Sequence, residues 1–207
     1  MTIKCLAFDL DGTLLLDESK RMDPRTVDSI KRAMDQGIHI VIASGRDKNG
    51  CKFVYEPLGL ENGNHFLALV NGQVLYDFEK KEYDLDDVLT AEDGVKIQKV
   101  CKEFGVEGIF QCGYDFYSYI SSLNRVKKKV KNAILGEPDD YGLKDGKENR
   151  NFIDLPFEEI HLTQDINKVI MVHTPKFFEK NFDGIKAALS DYDVLLVGPD
   201  WLEIMPK

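Results

Sequence analysis

The stretch AFDLDGTLL, residues 7–15, places two aspartates two positions apart where an apolar run ends. Side chains at i and i+2 of a strand project to one side. Asp9 and Asp11 therefore converge just past the carboxyl end of a strand over residues 3–8, and Leu10 turns the other way. In open α/β sheets that end of the strands is where ligands bind. Two like charges held together there need their roles separated. A divalent cation can neutralise both, and Mg²⁺ suits an all-oxygen site of carboxylates, waters and substrate phosphate. Alternatively one carboxyl carries a proton while the other stays ionised, which splits acid from nucleophile. Both can hold in one catalytic cycle. An aspartate carboxylate can attack phosphorus and form an aspartyl-phosphate. Its neighbour can protonate the leaving alcohol and then deprotonate the attacking water. Gly12 lets the backbone approach a phosphate closely, and Thr13 can brace the turn.

A second apolar strand, IHIVIAS, ends in ASGRD. The Ser44 hydroxyl can donate to a phosphate oxygen, and the Gly45 amide can add a second donor. Arg46 either touches substrate or pairs with an acidic neighbour. Between the two strands runs a helix with Asp23 as N-cap, Pro24 in the first turn and Gly37 as its stop, burying Val27, Ile30 and Met34 on one face. A poorer helix is expected over residues 48–56, ending before Pro57. FLALVNG reads as a third strand, with Asn71–Gly72 a turn on the same sheet edge, and residues 73–78 with 81–85 read as a hairpin. Strands alternating with helices imply an α/β fold with a parallel, doubly wound sheet.

The pattern changes near Asp84. Thr90 and Asp93 resemble a capping box for a helix carrying Val95, Val100 and Phe104. An aromatic hairpin, GIFQCGYDFYSYIS, turns at Gly113–Tyr114. A lysine-rich helix covers about residues 123–135, with Lys127, Lys128, Lys129 and Lys131 read as a solvated face. Residues 136–150 read as a loop. KVIMVH, a helix over 175–189, DVLLVG and WLEIM complete an α+β set. The expected domains are 1–83 and 84–207.

A chain of 207 residues with 43% hydrophobic content can bury a sizeable core in one large domain or two small ones. Its net charge of −9 gives no basic footprint for nucleic acid, and any anion site must be built locally. No apolar run is long enough to span a membrane. Cys5, Cys51, Cys101 and Cys112 lie far apart with no CxxC, which fits free thiols in a reducing cytoplasm.

DLDGTL, SGR after the second strand, and LVNGQVLYD resemble the haloacid dehalogenase superfamily. INKVIMVH and WLEIMPK resemble its Cof-type subgroup, whose cap is inserted after the third core strand. The resemblance covers essentially the whole chain. It implies a Rossmann-like parallel-sheet core with an inserted α+β cap that closes over the cleft, and a Mg²⁺-dependent phosphatase of small phosphorylated metabolites such as sugar phosphates. Asp9 would be nucleophile and metal ligand. Asp11 would be general acid/base, with its carbonyl on the metal. Gly12, Ser44, Gly45 and Arg46 would form the phosphate and substrate loops. The family continues past a Pro-Lys pair like Pro206–Lys207 with a second lysine and a GDxxND-like metal loop. The sequence in hand stops before both, so the resemblance implies an incomplete metal site. It also leaves residues 3–8, normally a central strand, as an open apolar edge suited to self-association. The rival readings are a truncated relative that binds metal or phosphate without turnover, and a phosphomutase-type phosphoryl transferase.

Overall fold

The computed structural model describes residues 3–15, 21–85, 87–136, 151–157 and 164–207. The chain divides into two compact units, Met1–Asp87 and Val88–Lys207. The expected loop over 136–150 falls, from residue 137, outside the described residues.

The first unit is built on a five-stranded sheet of order β1-β2-β3-β4-β5: Cys5–Asp9, His39–Ala43, Phe66–Leu69, Val74–Asp77 and Glu82–Leu85. β1, β2 and β3 are parallel, and β4 and β5 follow antiparallel. Helix α1 (Pro24–Asp35) forms where expected, because Asp23 accepts the Arg25 amide at 2.8 Å and Pro24 occupies the first turn. It buries Ile30, with Val27 and Met34 packed partly against the same core. Helix α2 differs from expectation. It starts later, at Lys52, after a 3₁₀ turn over Asn49–Cys51, and it runs through Pro57 to Leu58. Pro57 lies in the last turn, so it removes one hydrogen bond only. The helix stops at Gly59, whose φ of 75° lets its amide bond the Tyr55 and Glu56 carbonyls at 3.0 Å.

The second unit holds a six-stranded sheet of order β10-β11-β9-β6-β7-β8: Asp193–Gly198, Trp201–Met205, Lys168–Val172, Glu107–Cys112, Asp115–Ile120 and Asn151–Pro156. Among the described residues of this unit only β7 and β8 pair in parallel. Helices α3 (Ala91–Phe104) and α5 (Pro175–Ala188) contribute Ile97, Val100, Phe178 and Ile185 to a core shared with Phe110, Tyr119, Val169 and Leu202. The Thr90–Asp93 capping box is reciprocal: Asp93 N donates to Thr90 Oγ1 at 3.2 Å, and Thr90 N donates to Asp93 Oδ2 at 2.9 Å. A second, smaller cluster of Ile109, Phe116 and Ile170 sits among buried ion pairs, Lys168–Glu203 at 2.6 Å and Lys128–Glu107 at 2.8 Å. Lys128 therefore does not belong to a solvated lysine face. It leaves helix α4 (Ser122–Leu135) for Glu107 of β6, whose carboxylate Ser118 also bonds at 2.5 Å. Cys51, Cys101 and Cys112 are buried free thiols, and Cys5 is an exposed one.

Two consequences can be measured. β1 lies at the edge of its sheet, with Leu6 and Phe8 lining an open groove of about 560 Å³ together with Thr26, Ile30 and Ala33. Such an edge pairs readily with another chain. Light scattering of the 207-residue chain should show association rising with concentration, reduced by Ala7→Lys at the exposed edge. A monodisperse monomer throughout the concentration range would count against it.

The second consequence concerns His65, which is buried and accepts the Ile40 amide on Nδ1 at 3.0 Å. Burial, helped by the nearby His39, holds its pKa below the ordinary 6.5. The unfolded chain therefore takes up a proton that the folded one resists. The stability contributed is present above pH 6.5 and is lost as pH falls below it. Thermal melts should drop from pH 7 toward pH 5, and His173, whose pKa burial also lowers, adds to the loss. His65→Asn, which keeps an acceptor but cannot titrate, should reduce that slope to the part His173 supplies; an unchanged slope would assign the loss elsewhere.

Candidate active site

The site starts from a register. Asp9, the last residue of β1, lies opposite Ala43, the last of β2, and Ala43 lies opposite Ala68 of β3. Three parallel strands thus end level, and the loops that follow them share one edge. Leu10 is fully buried, while Asp9 and Asp11 on either side are exposed, as the period of two requires. Gly12 follows with φ of 82°, a conformation costly for any side chain, and its amide donates to the Leu15 carbonyl at 2.7 Å. Thr13 Oγ1 donates to Asp9 Oδ2 at 3.3 Å, so the turn braces the first carboxylate.

The second loop meets the first through Arg46. Its Nη2 donates to Asp11 Oδ1 at 2.9 Å and its Nε to Asp11 Oδ2 at 3.2 Å. This is a two-pronged pair that joins the two motifs across 35 positions of sequence. Arg46 also stacks over Phe53, 5.7 Å from guanidinium carbon to ring centre. Asp11 holds the Arg46 guanidinium pKa above its ordinary value, with burial opposing. Of the alternatives for Arg46, the acidic neighbour is the partner seen, and that neighbour is a candidate catalytic carboxylate. The pair is substantially exposed, and exposed pairs contribute little stability, about 0–1 kcal/mol. It can therefore open for a better partner. Ser44 is buried, and its Oγ accepts the Arg46 amide at 3.2 Å. Gly45 is exposed between them. Below this loop, burial pushes the Cys51 thiol up to about 12 against a hydrogen bond from Ser44, so Cys51 is no nucleophile at neutral pH.

The third loop is the Asn71–Gly72 turn expected on this sheet edge. Asn71 N donates to the Ser44 carbonyl at 3.3 Å, and Val70 N to the Arg46 carbonyl at 3.1 Å. The turn at Asn71–Gly72 is thus bonded directly to the Ser44–Arg46 loop. Val70 and Asn71 have φ of 50° and 59°. Asparagine tolerates that region, but a β-branched valine does so at a cost of order 1–3 kcal/mol. Gln73, next in sequence, has its amide nitrogen and oxygen buried without a hydrogen-bond partner. Asp47 is also buried and accepts the Gly50 amide at 2.7 Å, which shapes the start of the 3₁₀ turn. An Asn-Gly pair ending a strand was the one signal available for the third loop; nothing local announces the positive φ at Val70.

Asp9 and the Asp11 main-chain carbonyl are oxygen donors of the kind a hard cation takes. Among the described residues no group of three or more His, Cys, Asp or Glu side chains comes together to hold a metal. The donor set fits Mg²⁺ in chemistry and is thin in number.

Comparison with known proteins bears on this arrangement. A family model described as haloacid dehalogenase-like hydrolase matches residues 6–207. A Streptococcus pyogenes serotype M6 protein, provisionally named a phosphatase, is 26% identical over all of this chain and 71% of its own length. The Escherichia coli pyridoxal phosphate phosphatase YbhA is 28% identical over 53% of this chain and 39% of its own. In three dimensions, a haloacid dehalogenase-like hydrolase from Bacteroides thetaiotaomicron superposes with a TM-score of 0.73 at 22% identity, covering 100% of this chain and 72% of that one. The sugar phosphatase BT4131 superposes at 0.69 and 19% identity, covering 99% and 70%. The aspartate pair at the end of β1, the serine loop after β2 and a match across nearly all 207 residues agree: the chain belongs to the haloacid dehalogenase-like hydrolase family.

Proposed function

We propose that this chain carries the nucleophile and phosphate loops of a phosphatase that hydrolyses a small phosphorylated metabolite through an aspartyl-phosphate on Asp9. One observation supports it above the rest. The Asp9–Asp11 turn and the Ser44–Arg46 loop leave adjacent parallel strands at the same level and are joined by the Arg46–Asp11 pair. The names of the Streptococcus and Escherichia coli relatives agree with the reading.

In this mechanism an Asp9 carboxylate oxygen attacks phosphorus. The bond from phosphorus to the leaving oxygen breaks, and Asp11 gives its proton to the departing alkoxide. Water then attacks the phosphorus of the aspartyl-phosphate while Asp11 takes the water's proton, which frees phosphate and restores Asp9. Asp11 cannot carry a proton toward the leaving group while both its oxygens hold Arg46. A phosphate ester offers Arg46 an equally good two-pronged acceptor. Substrate binding therefore draws Arg46 to the phosphoryl group and releases Asp11. Ser44 and Gly45 add neutral donors to the same oxygens. Mg²⁺, held by the Asp9 carboxylate and the Asp11 carbonyl, would supply neutralising charge for the phosphoryl group. That charge would also lessen the repulsion between Asp9 and Asp11. The substrate in this proposal is of the sugar-phosphate class, so the leaving group is a sugar hydroxyl. The four free thiols fit the reducing cytoplasm, and no described helix is long and apolar enough to cross a membrane.

Asp9→Asn should abolish hydrolysis of p-nitrophenyl phosphate or a sugar phosphate, because an amide cannot serve as nucleophile. Turnover within about tenfold of the parent, roughly 1.4 kcal/mol of barrier, would remove Asp9 from that role. The reading also sets the metal affinity. With one carboxylate and one carbonyl as ligands, Mg²⁺ titrated calorimetrically into the 207-residue chain should bind at millimolar strength or weaker. A micromolar constant would require a further acidic ligand.

A further inference from the structure

Helix α4 (Ser122–Leu135) is seated with its polar side inward. Lys128, its side chain only 9% exposed, pairs with Glu107 at 2.8 Å and lies 5.4 Å from the Phe152 ring centre. Asn132, one turn on, is buried, and Arg125, one turn back, has its Nε and Nη2 buried. This polar seat leaves the apolar side in solvent. Leu123 is 65% exposed, Val126 61%, Val130 56% and Ile134 78%. Aliphatic side chains this exposed along one helix call for a partner.

The spacing of the stripe says what kind. Leu123, Val126 and Val130 follow the three-four step of a heptad seam, continued by Ala133 and Ile134. In that register Lys127 and Lys129 flank the seam at the positions that choose a partner by charge. Residues 122–135 hold one arginine and four lysines and no acidic residue, in a chain of net charge −9. A second α4 would set lysine against lysine, so the charge disfavours pairing between two copies. An anionic membrane is disfavoured as well, because the stripe has no aromatic residue and the rest of the chain is strongly acidic.

We propose that the outer face of α4 is a docking surface for an acidic amphipathic helix of another protein, one with aliphatic seam residues and glutamates flanking them. The stripe is about 16 Å long, three turns, which sets the length of the contact. Docking leaves the Lys128–Glu107 seat in place, since that pair faces the sheet.

The probe is a synthetic heptad peptide with leucine at the seam and glutamate at the flanks, added to the full 207-residue chain and followed by fluorescence anisotropy. It should bind. The double variant Lys127→Glu, Lys129→Glu should weaken it by about tenfold or more through the flanking charges. Val126→Ser with Val130→Ser should abolish it. Both variants alter exposed positions, and circular dichroism with an unchanged melt checks that each is folded. A peptide with lysine at the flanks should bind the charge-reversed variant better than the parent. The proposal is overturned if the glutamate peptide does not bind, or if it binds equally to the charge-reversed variant. It is also overturned if the stripe instead drives self-association that Val130→Ser dissolves, or if α4 seats on vesicles of phosphatidylglycerol.

Discussion

Everything in the first unit that bears on chemistry depends on the burial of Leu10 between two solvent-facing carboxylates. Burying a leucine side chain is worth about 1.5–3 kcal/mol. Side chains alternate along an extended backbone, so that burial forces Asp9 and Asp11 outward together. Repulsion between them is the consequence of a packed core, and the surroundings answer it. Thr13 bonds one carboxylate, and Arg46 clasps the other with two hydrogen bonds. A site already furnished with hydrogen-bond donors, and held by an exposed pair that opens at little cost, is ready for an anion.

The level ends of β1, β2 and β3 turn this local device into a three-loop site. The Ser44 amide continues the β2–β3 ladder by donating to Ala68 O at 2.8 Å, and the Val70–Gly72 turn returns hydrogen bonds to Ser44 and Arg46. The left-handed Val70 is the strained element in that network. Its strain persists because the flanking β3 and β4 strands are paired through Leu69 and Val74 and leave the turn no slack. In the proposed chemistry this rigidity matters, because the Ser44 and Gly45 donors must not move when the phosphoryl group changes hands.

Reading the sequence alone recovered the elements that local rules dictate. Asp23–Pro24 started α1, Thr90 with Asp93 capped α3, and Gly113 turned the β6–β7 hairpin, because caps and tight turns are short-range chemistry. The aspartate pair and the serine loop were also legible, since strand alternation and strand ends place them without knowledge of the rest. Three features were not. Lys128 looked like one of four solvated lysines, and only the arrival of β6 gives it Glu107. Pro57 looked like a helix stop, but in the last turn it breaks one bond and Gly59 does the stopping. Arg46 had two candidate roles because its partner Asp11 lies in a different βα unit. Lys128 and Arg46 were decided by contacts between distant segments, whereas the Pro57 boundary was set locally by Gly59.

The central claim is that Asp9, and not water alone, makes the first bond to phosphorus. Rapid acid quench during turnover of a phosphate ester tests it most directly, because direct attack by water would leave no phosphate on the protein. The account predicts a phosphorylated Asp9 peptide, trapped by the quench and located by fragmentation mass spectrometry. A quenched enzyme that turns over substrate yet never carries phosphate on Asp9, or carries it on another residue, would contradict the account.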